Sequence, residues 1–471
     1  MNVLLLNPAS YFILKMFQDI SQLEIPLSLG YLAAVLEQKG NNVKIIDLNF
    51  VTTKEKLKSL LGDTVFDIIG VTSTTPIIPT CFRTVRVMKR LYPGARIIVG
   101  GWHASTLPIQ TMEECTEIDF VVKGEGEDTL AELVEAIKNT KGFELIKGIA
   151  YRDKAGIPHE NVDRPLIKNL DTIPFPALHL LPLKEYKKIG FYTLGGYFKK
   201  DLSVASIITS RGCANRCVFC ADHVIYKETC RFRSPENVIA EIEEMIKKYN
   251  IRIIFFFDAN FLLSPNHVNR ICELILEKRL KFIWGCTGRV EYVSKDLLQL
   301  MKKAGCIRIS YGVESGSPRI LKLMNKNISI SQVKKAVAIT KEVGLPVYIS
   351  LLYGMPGETF KDAQMTRQLL NELKPDFVSQ SAVIPYPGTD LYDDAIHQNL
   401  IKKARWESYS YLFNNLMEIP GMKKIFKYQK NIQRDFYISP LFLKNSVKNL
   451  KSIYHLGFYL KGLYSFVKFN L

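Results

Sequence analysis

Eleven short apolar runs, each followed by a stretch with helical spacing, constrain this chain more than any other feature. Five lie in the first 140 residues: NVLLLNP (2–8), NVKIIDLN (42–49), FDIIGVTS (66–73), ARIIVGG (95–101) and IDFVVKGEGE (118–127). Each is nearly continuous in apolar residues, the pattern of strands buried on both faces. LSLGYLAAVLEQKG (27–40) and TCFRTVRVMKRLYPG (80–94) supply helices between them. The alternation predicts a doubly wound α/β domain over residues 1–142, with ligands at the carboxyl ends of its strands.

A strand-poor linker is expected over 143–197, centred on the proline-punctuated KNLDTIPFPALHLLP. Six further strands follow: ASIITSR (205–211), RIIFFFDAN (252–260), FIWGCTGRV (282–290), IRISYGVES (307–315), VYISLLYGM (347–355) and DFVSQSAVIPY (376–386). Between them, SPENVIAEIEEMIKKYN (234–250) opens on a capping serine and SISQVKKAVAITKEVG (329–344) closes on a capping glycine. Six strand–helix units over 198–400 are two short of a complete eight-unit barrel, so a partial barrel with a lateral opening is expected.

MNVLLLNPAS has no basic lead and no cleavage site, so it reads as a first strand rather than a signal peptide. No run of eighteen apolar residues suggests a membrane span. Nine cysteines, an odd number, point to a reducing cytoplasm rather than a disulfide framework. The net charge of +17 is concentrated at the end: residues 401–471 hold 13 Lys and Arg against 3 Asp and Glu. That segment is read as a basic, aromatic, mainly helical extension.

Cys213, Cys217 and Cys220 stand at spacings of four and three, directly after the first barrel strand. That end of an α/β barrel is where chemistry is placed. A structural zinc would need a fourth ligand, for which His223 and Cys230 are the neighbours. Three cysteines on a loop suit instead a [4Fe–4S] cluster with one open iron. The other six (Cys81, Cys115, Cys230, Cys272, Cys286 and Cys306) are scattered and read as small core residues.

The triad resembles the Cys-x3-Cys-x2-Cys signature of radical S-adenosylmethionine enzymes, down to the aromatic Phe219 before the third cysteine. FFFDANF (255–261), YGVESGS (311–317), YGMPGET (353–359) and PYPGT (385–389) are similar to strand-end segments of the cobalamin-dependent members. NP near the start, PLSLGYLAAVLEQKG (26–40), VTSTT (71–75), GGWHAS (100–105) and GEGEDTL (124–130) resemble the Rossmann-like B12-binding domain that precedes the barrel in that subfamily. The resemblance covers nearly the whole chain. It implies a [4Fe–4S] cluster, S-adenosylmethionine and cobalamin as cofactors, and cleavage of S-adenosylmethionine to a 5′-deoxyadenosyl radical. Methylation of an unactivated carbon is the commonest outcome in the family; ring closure and oxidation are others. A non-catalytic cobalamin or iron–sulfur sensor is the reading from another class, and it has no use for the barrel-top segments. A methylthiotransferase is disfavoured, because only Cys81 and Cys115 precede the triad.

For S-adenosylmethionine the resemblance implies Phe219, Arg233, Asp258, Asn260, Glu314, Ser315, Gly354 and Gly357. Several keep a second reading. Glu314 is either a contact to the methionine or ribose part or half of a buried ion pair. Asp258 is either a contact or a helix cap, and Arg233 approaches the carboxylate of S-adenosylmethionine or lies at the surface. Gly354, Gly357 and Gly388 serve at least as turns. For cobalamin it implies Ser73, Thr74 and Thr75 at the nucleotide tail, flanked by Gly100 and Gly101, with Gly124, Glu125, Gly126 and Glu127 at the corrin. The Asp-x-His-x-x-Gly cobalt-ligand motif is absent, and His103 is the one histidine of this domain. A loop-packing role for His103 is preferred over ligation.

The partners implied are a flavodoxin- or ferredoxin-like electron donor and a hydrophobic small molecule or lipid. The 15 aromatics of residues 401–471 allow two readings, a helical cap on the barrel or peripheral attachment to an anionic membrane through a helix at 446–469. Nucleic acid is not expected, since no binding fold accompanies the charge.

Overall fold

The computed structural model describes residues 1–10, 25–186, 203–401, 405–409, 416–440 and 442. The first sheet is built on β1 (Asn2–Asn7), β2 (Asn42–Asp47), β3 (Ile68–Thr72), β4 (Arg96–Gly100) and β5 (Phe120–Val122), parallel in the order β2-β1-β3-β4-β5. The order reverses between β1 and β3, the place where an open α/β sheet leaves a crevice for a ligand. Helices Leu27–Gln38 and Gly126–Lys138 cover one face, and helices Lys54–Leu61 and Ile78–Leu91 belong to the other.

Two expectations change here. The sheet runs past residue 142, because β6 (Ile149–Arg152) adds antiparallel to β5 and β7 (Pro158–Glu160) antiparallel to β6, inside the stretch read as a linker. The rest of that stretch is no free spacer either. Ala177, Leu178, Leu181 and Tyr186 are buried in the core shared with the barrel, and the Tyr186 hydroxyl donates to Asp47. The fifth strand also stops early: GEGE forms a turn and the start of the helix Gly126–Lys138.

The six barrel strands are β8 (Ser203–Ile207), β11 (Ile251–Phe256), β12 (Ile283–Gly288), β13 (Cys306–Glu314), β14 (Val347–Tyr353) and β15 (Phe377–Ala382). They pair in parallel in sequence order, as a partial barrel requires. Between β8 and β11 a short antiparallel ribbon intervenes, β9 (Ser210–Arg211) and β10 (Arg231–Phe232). The helix caps fall where the sequence puts them. Ser234 accepts from the Asn237 amide, and Ser329 with Gln332 forms a capping box on a helix closed by Gly344 at φ 75°. Cys81, Cys115, Cys272, Cys286 and Cys306 are buried, and all nine cysteines are free. No described helix is long and apolar enough to cross a membrane.

After the barrel the chain returns to the first domain. The Trp406 indole donates to Glu114 at 2.6 Å, and its ring meets His103 edge-on at 4.7 Å. The helix Met422–Tyr437 then lays Met422, Ile425 and Ile432 on the barrel core. The helix expected at 446–469 lies outside the described residues.

The two domains are locked by a buried ionic cluster. Glu125 takes Arg231 in a fork at 2.8 and 3.1 Å and Arg211 at 2.9 Å, while Glu127 takes the other Arg211 nitrogen at 2.5 Å. Burial pushes the Glu125 carboxyl upward, but hydrogen bonds from Arg231 and Arg211 overcome it and hold the group below the ordinary glutamate range. Removing one member of a buried pair costs about 3–5 kcal/mol, because its partners stay charged and dry. Glu125→Ala should therefore loosen docking of the domains, read as increased amide exchange at residues 125–130 and 209–232. The advantage of the wild type over Glu125→Gln should be full above pH ~4.3, the ordinary glutamate value, and fade as pH falls below it. Chemical denaturation of both proteins at several pH values checks this.

Candidate active site between the two domains

The cysteine loop is closed at its base by β9 and β10. Gly212 opens it at φ 89°, where a Cβ would lie 2.0 Å from the Thr229 carbonyl oxygen, so no side chain fits. Cys217 is buried, and the Arg289 guanidinium points a nitrogen at its sulfur at 3.7 Å. Asn215 approaches the Cys213 sulfur at 3.5 Å, and the Val218 amide donates to the Met324 carbonyl, pinning the loop to the barrel. Phe219 packs on a small apolar cluster that includes Ile320, Met324 and Met355. Burial pushes the Cys217 thiol up, opposed by the charges of Lys326 and Arg289; Cys220 is pushed up to about 12 by burial. Among the described residues no three His, Cys, Asp or Glu side chains converge on a single ion. Cluster thiolates bind separate irons and need no common point.

A chain of polar contacts leads from Cys217 around the barrel mouth. Arg289 is clasped by Glu291 at 2.6 and 2.9 Å and donates to the Lys326 carbonyl. Lys326 in turn pairs with Glu314 at 2.8 Å, both buried, so the ion-pair reading of Glu314 is the one the structure shows. Glu314 sits at φ 67°, unusual for a residue with a side chain, and Gly312 leaves the space its carboxylate occupies. The Asn260 side-chain oxygen accepts from the Arg289 amide at 3.1 Å, while its buried nitrogen has no partner. Asp258 caps no helix. One oxygen accepts from Thr209 and Ser210, the other is buried without a partner, and burial pushes its carboxyl up to about 6.

The remaining predicted S-adenosylmethionine residues divide. The Ser315 hydroxyl accepts from the Ser317 amide, holding the turn after β13. Gly354 and Gly357 are turns at φ 93° and 81°, and the Gly354 amide donates to Glu358 at 2.6 Å. Arg233 fits neither of its readings. It is 6% exposed, ion-paired to Glu241 at 2.5 Å, and donates to the Ile208 carbonyl. Glu241 is itself 1% exposed, and a carboxylate that deep requires a cation.

The carboxyl edges of the two sheets face one cavity of about 720 Å³. Its walls come from Asn7 at the end of β1, Thr72 and Thr74 at the end of β3, Gly100 and Gly101 at the end of β4, and Gly124 to Glu127 after β5. The barrel contributes Ser206, Phe255, Phe257, Asp258 and Thr287. Of the predicted cobalamin residues, Thr74, Gly100, Gly101, Gly124, Glu125 and Gly126 line it; Ser73, Thr75 and His103 do not. The Ser73 hydroxyl donates to the Gly100 carbonyl, and Gly101 packs so close to Ser73 that a Cβ would fall 2.3 Å from its oxygen. His103 lies against Thr75 at 3.2 Å beneath Trp406, and burial lowers its pKa to about 4. Glu125 and Glu127, expected at the corrin, hold the barrel arginines instead.

The residues present suit the cofactors the resemblance implies. The cavity spans the β1–β3 switch point, and the unpartnered carboxylate oxygen of Asp258 in its wall is what a bound polar ligand would satisfy. The sequence reading missed Arg289 and Lys326 at the cysteine loop and Tyr31, Asp222 and Tyr226 in the cavity wall. Only Arg289 carried a signal, as a charged residue at a barrel strand end.

Two family models match in order, the B12 binding domain over residues 16–134 and the Radical SAM superfamily over 207–370. An uncharacterized methyltransferase of Pyrococcus horikoshii is 32% identical over 93% of this chain and 92% of its own. The anaerobic magnesium-protoporphyrin IX monomethyl ester cyclase of Rubrivivax gelatinosus is 28% identical, over 78% of this chain and 66% of its own. Among solved structures, the radical S-adenosylmethionine methyltransferase TsrM of Kitasatospora setae, with cobalamin and a [4Fe–4S] cluster bound, aligns at a TM-score of 0.70. It is 21% identical, and the match covers 86% of this chain and 79% of that one. With both domains matched and a 32% identical relative along almost its whole length, the chain belongs to the cobalamin-dependent radical S-adenosylmethionine enzymes, and its cofactors are those of that family.

Proposed function

We propose that the chain methylates an unactivated carbon of a hydrophobic substrate. The observation that carries this reading is the shared cavity, where the carboxyl edge of the B12-binding sheet and the barrel mouth meet. When bound, the cluster and S-adenosylmethionine supply reductive radical chemistry, and cobalamin supplies a methyl group. Cys213, Cys217 and Cys220 would hold the cluster, and Thr74, Gly100, Gly101, Gly124 and Gly126 would border cobalamin. Asp258 and Asn260 would orient S-adenosylmethionine through their free polar atoms, with Phe219, Ser315, Gly354 and Gly357 shaping its surroundings. The apolar walls exclude water, which protects a radical and strengthens each polar contact. Ring closure without methyl transfer is the second reading, favoured by the relation to the cyclase. An external reductant is required. Residues 446–469 would attach the enzyme to an anionic membrane, with their basic and aromatic composition as support.

Reconstituted anaerobically with iron, sulfide and hydroxocobalamin, the protein should hold about four irons and one corrin and form 5′-deoxyadenosine when reduced. Cys217→Ala should abolish that product, and its persistence would remove the cluster assignment. With methyl-deuterated S-adenosylmethionine, label in the product separates methylation from ring closure.

Hydrogen bonds and positive charge at a cluster sulfur favour the reduced state. Arg289→Met should therefore lower the cluster's reduction potential, read by a redox titration followed by electron paramagnetic resonance at equal iron content. An unchanged potential would mean that the Arg289 contact to Cys217 is packing alone.

Asp258, with its carboxyl raised to about 6 by burial, would meet a cationic amine only when ionised. S-adenosylmethionine binding should weaken about tenfold as pH falls from 7 to 5, and Asp258→Asn should flatten the profile. Equilibrium dialysis across that range checks it.

A further inference from the structure

The inner wall of the barrel is divided. Along β13 the outward residues Ile309, Tyr311 and Val313 join the core under the helices, so Arg308, Ser310 and Gly312 face the lumen. The first three strands line the lumen with Val204, Ile253, Phe255 and Ile283, an apolar wall. Arg308 is the cation opposite it. Its guanidinium carbon lies 3.8 Å from the centre of the Tyr348 ring and 5.9 Å from that of Phe255, and its Nε donates to Ser310 at 3.1 Å. Tyr348 is itself stacked on Phe377 at 4.4 Å. No carboxylate pairs with Arg308 among the described residues, although the side chain is part-buried and desolvation depresses its pKa.

A buried cation is normally paired. Arg233 with Glu241 and Arg289 with Glu291 obey that rule, as do the part-buried Arg211 and Arg231 with Glu125. Arg308 has no carboxylate, and its position explains why. Strand register places Ser206, Phe255, Gly285 and Arg308 in one layer across the barrel. Ser206 and Phe255 line the cavity shared with the B12-binding domain, and Gly285 puts no side chain between Phe255 and Arg308. Arg308 itself lies just beyond that lining, beside Phe255, so a cation stands next to the cavity wall. Asp258 stands three residues above Phe255 on the same chain segment, roughly 10 Å at the rise of an extended strand.

We propose that Arg308 receives an anionic group of the substrate, a carboxylate or a phosphate, at the floor of the barrel. The aromatic rings of Tyr348 and Phe255 hold the guanidinium flat and leave its fork of N–H groups for the anion. The substrate is then an amphiphile with its charged end down, its apolar body along Phe255 and Phe257, and its reacting carbon roughly 10 Å above, at the level of Asp258. This assignment rests on the radical-enzyme reading for the identity of the reacting end, but the anion site stands on geometry alone.

The test titrates reconstituted wild type, Arg308→Met and Arg308→Lys with phenyl phosphate, benzoate and uncharged benzyl alcohol, followed by ligand-observed nuclear magnetic resonance. Wild type should bind at least one anion, and Arg308→Met should bind it at least tenfold more weakly with benzyl alcohol unaffected. The tighter anion names the substrate's charged group. Equal anion binding by wild type and Arg308→Met, or none by wild type, overturns the proposal. If the methionine variant does not fold, Arg308→Lys decides: it keeps the charge and loses the fork, so undiminished anion affinity for both anions overturns the forked contact. Formation of 5′-deoxyadenosine by the same wild-type preparation is measured alongside. Its absence would sink the radical reading without touching the anion result.

Discussion

A carboxylate wedged between two arginines sets the relation of everything else in this molecule. Glu125 leaves the first sheet at the start of a helix, and Arg211 and Arg231 leave the barrel on the two strands of one short ribbon. Parallel strands deliver their functional residues to one edge only, so two parallel sheets can share a site only if their carboxyl edges face each other. The ionic cluster holds them in that attitude from the rim of the cavity. Because the ribbon also closes the cysteine loop, the same few residues position Cys213, Cys217 and Cys220 and the facing domain.

The chemistry of the mouth follows from unequal burial. Asp258 and Asn260 each keep a polar atom that nothing in the protein satisfies, whereas Glu314, Arg289 and Lys326 satisfy one another. The first pair is available to a ligand. The second group is a scaffold that carries charge to Cys217 and fixes the turn after β13. A family resemblance does not distinguish these two kinds of polar residue, since both sit at strand ends.

How much was legible in the sequence follows the range of the interactions involved. All six barrel strands and the five parallel strands of the first sheet were readable, because a doubly buried strand is a local apolar run. The capped helices at 235–249 and 330–343 were readable for the same reason, since Ser234 and Ser329 act within three residues. β6 and β7 were not, being short, partly exposed strands of mixed composition that exist only because β5 offers an edge. The partners of Glu125 are 86 and 106 residues away, so its role as a clamp left no local trace and the glutamate was read as a corrin neighbour. Arg233 failed similarly: its charge was visible, but the buried Glu241 that claims it was not. Ser73 lies outside the cavity lining, and His103 packs under Trp406, the loop-packing role preferred for it from the sequence.

Trp406 gives the chain an unusual order of completion. Domains generally fold as they leave the ribosome, the first one first. Here the pocket around His103 and Thr75 is roofed by a residue some three hundred positions later, anchored to Glu114. The first domain is therefore synthesised early and finished late. Until the last stretch of chain emerges, His103 and the apolar surface beside it face solvent, and the nascent protein must carry an open flank through the synthesis of its entire barrel.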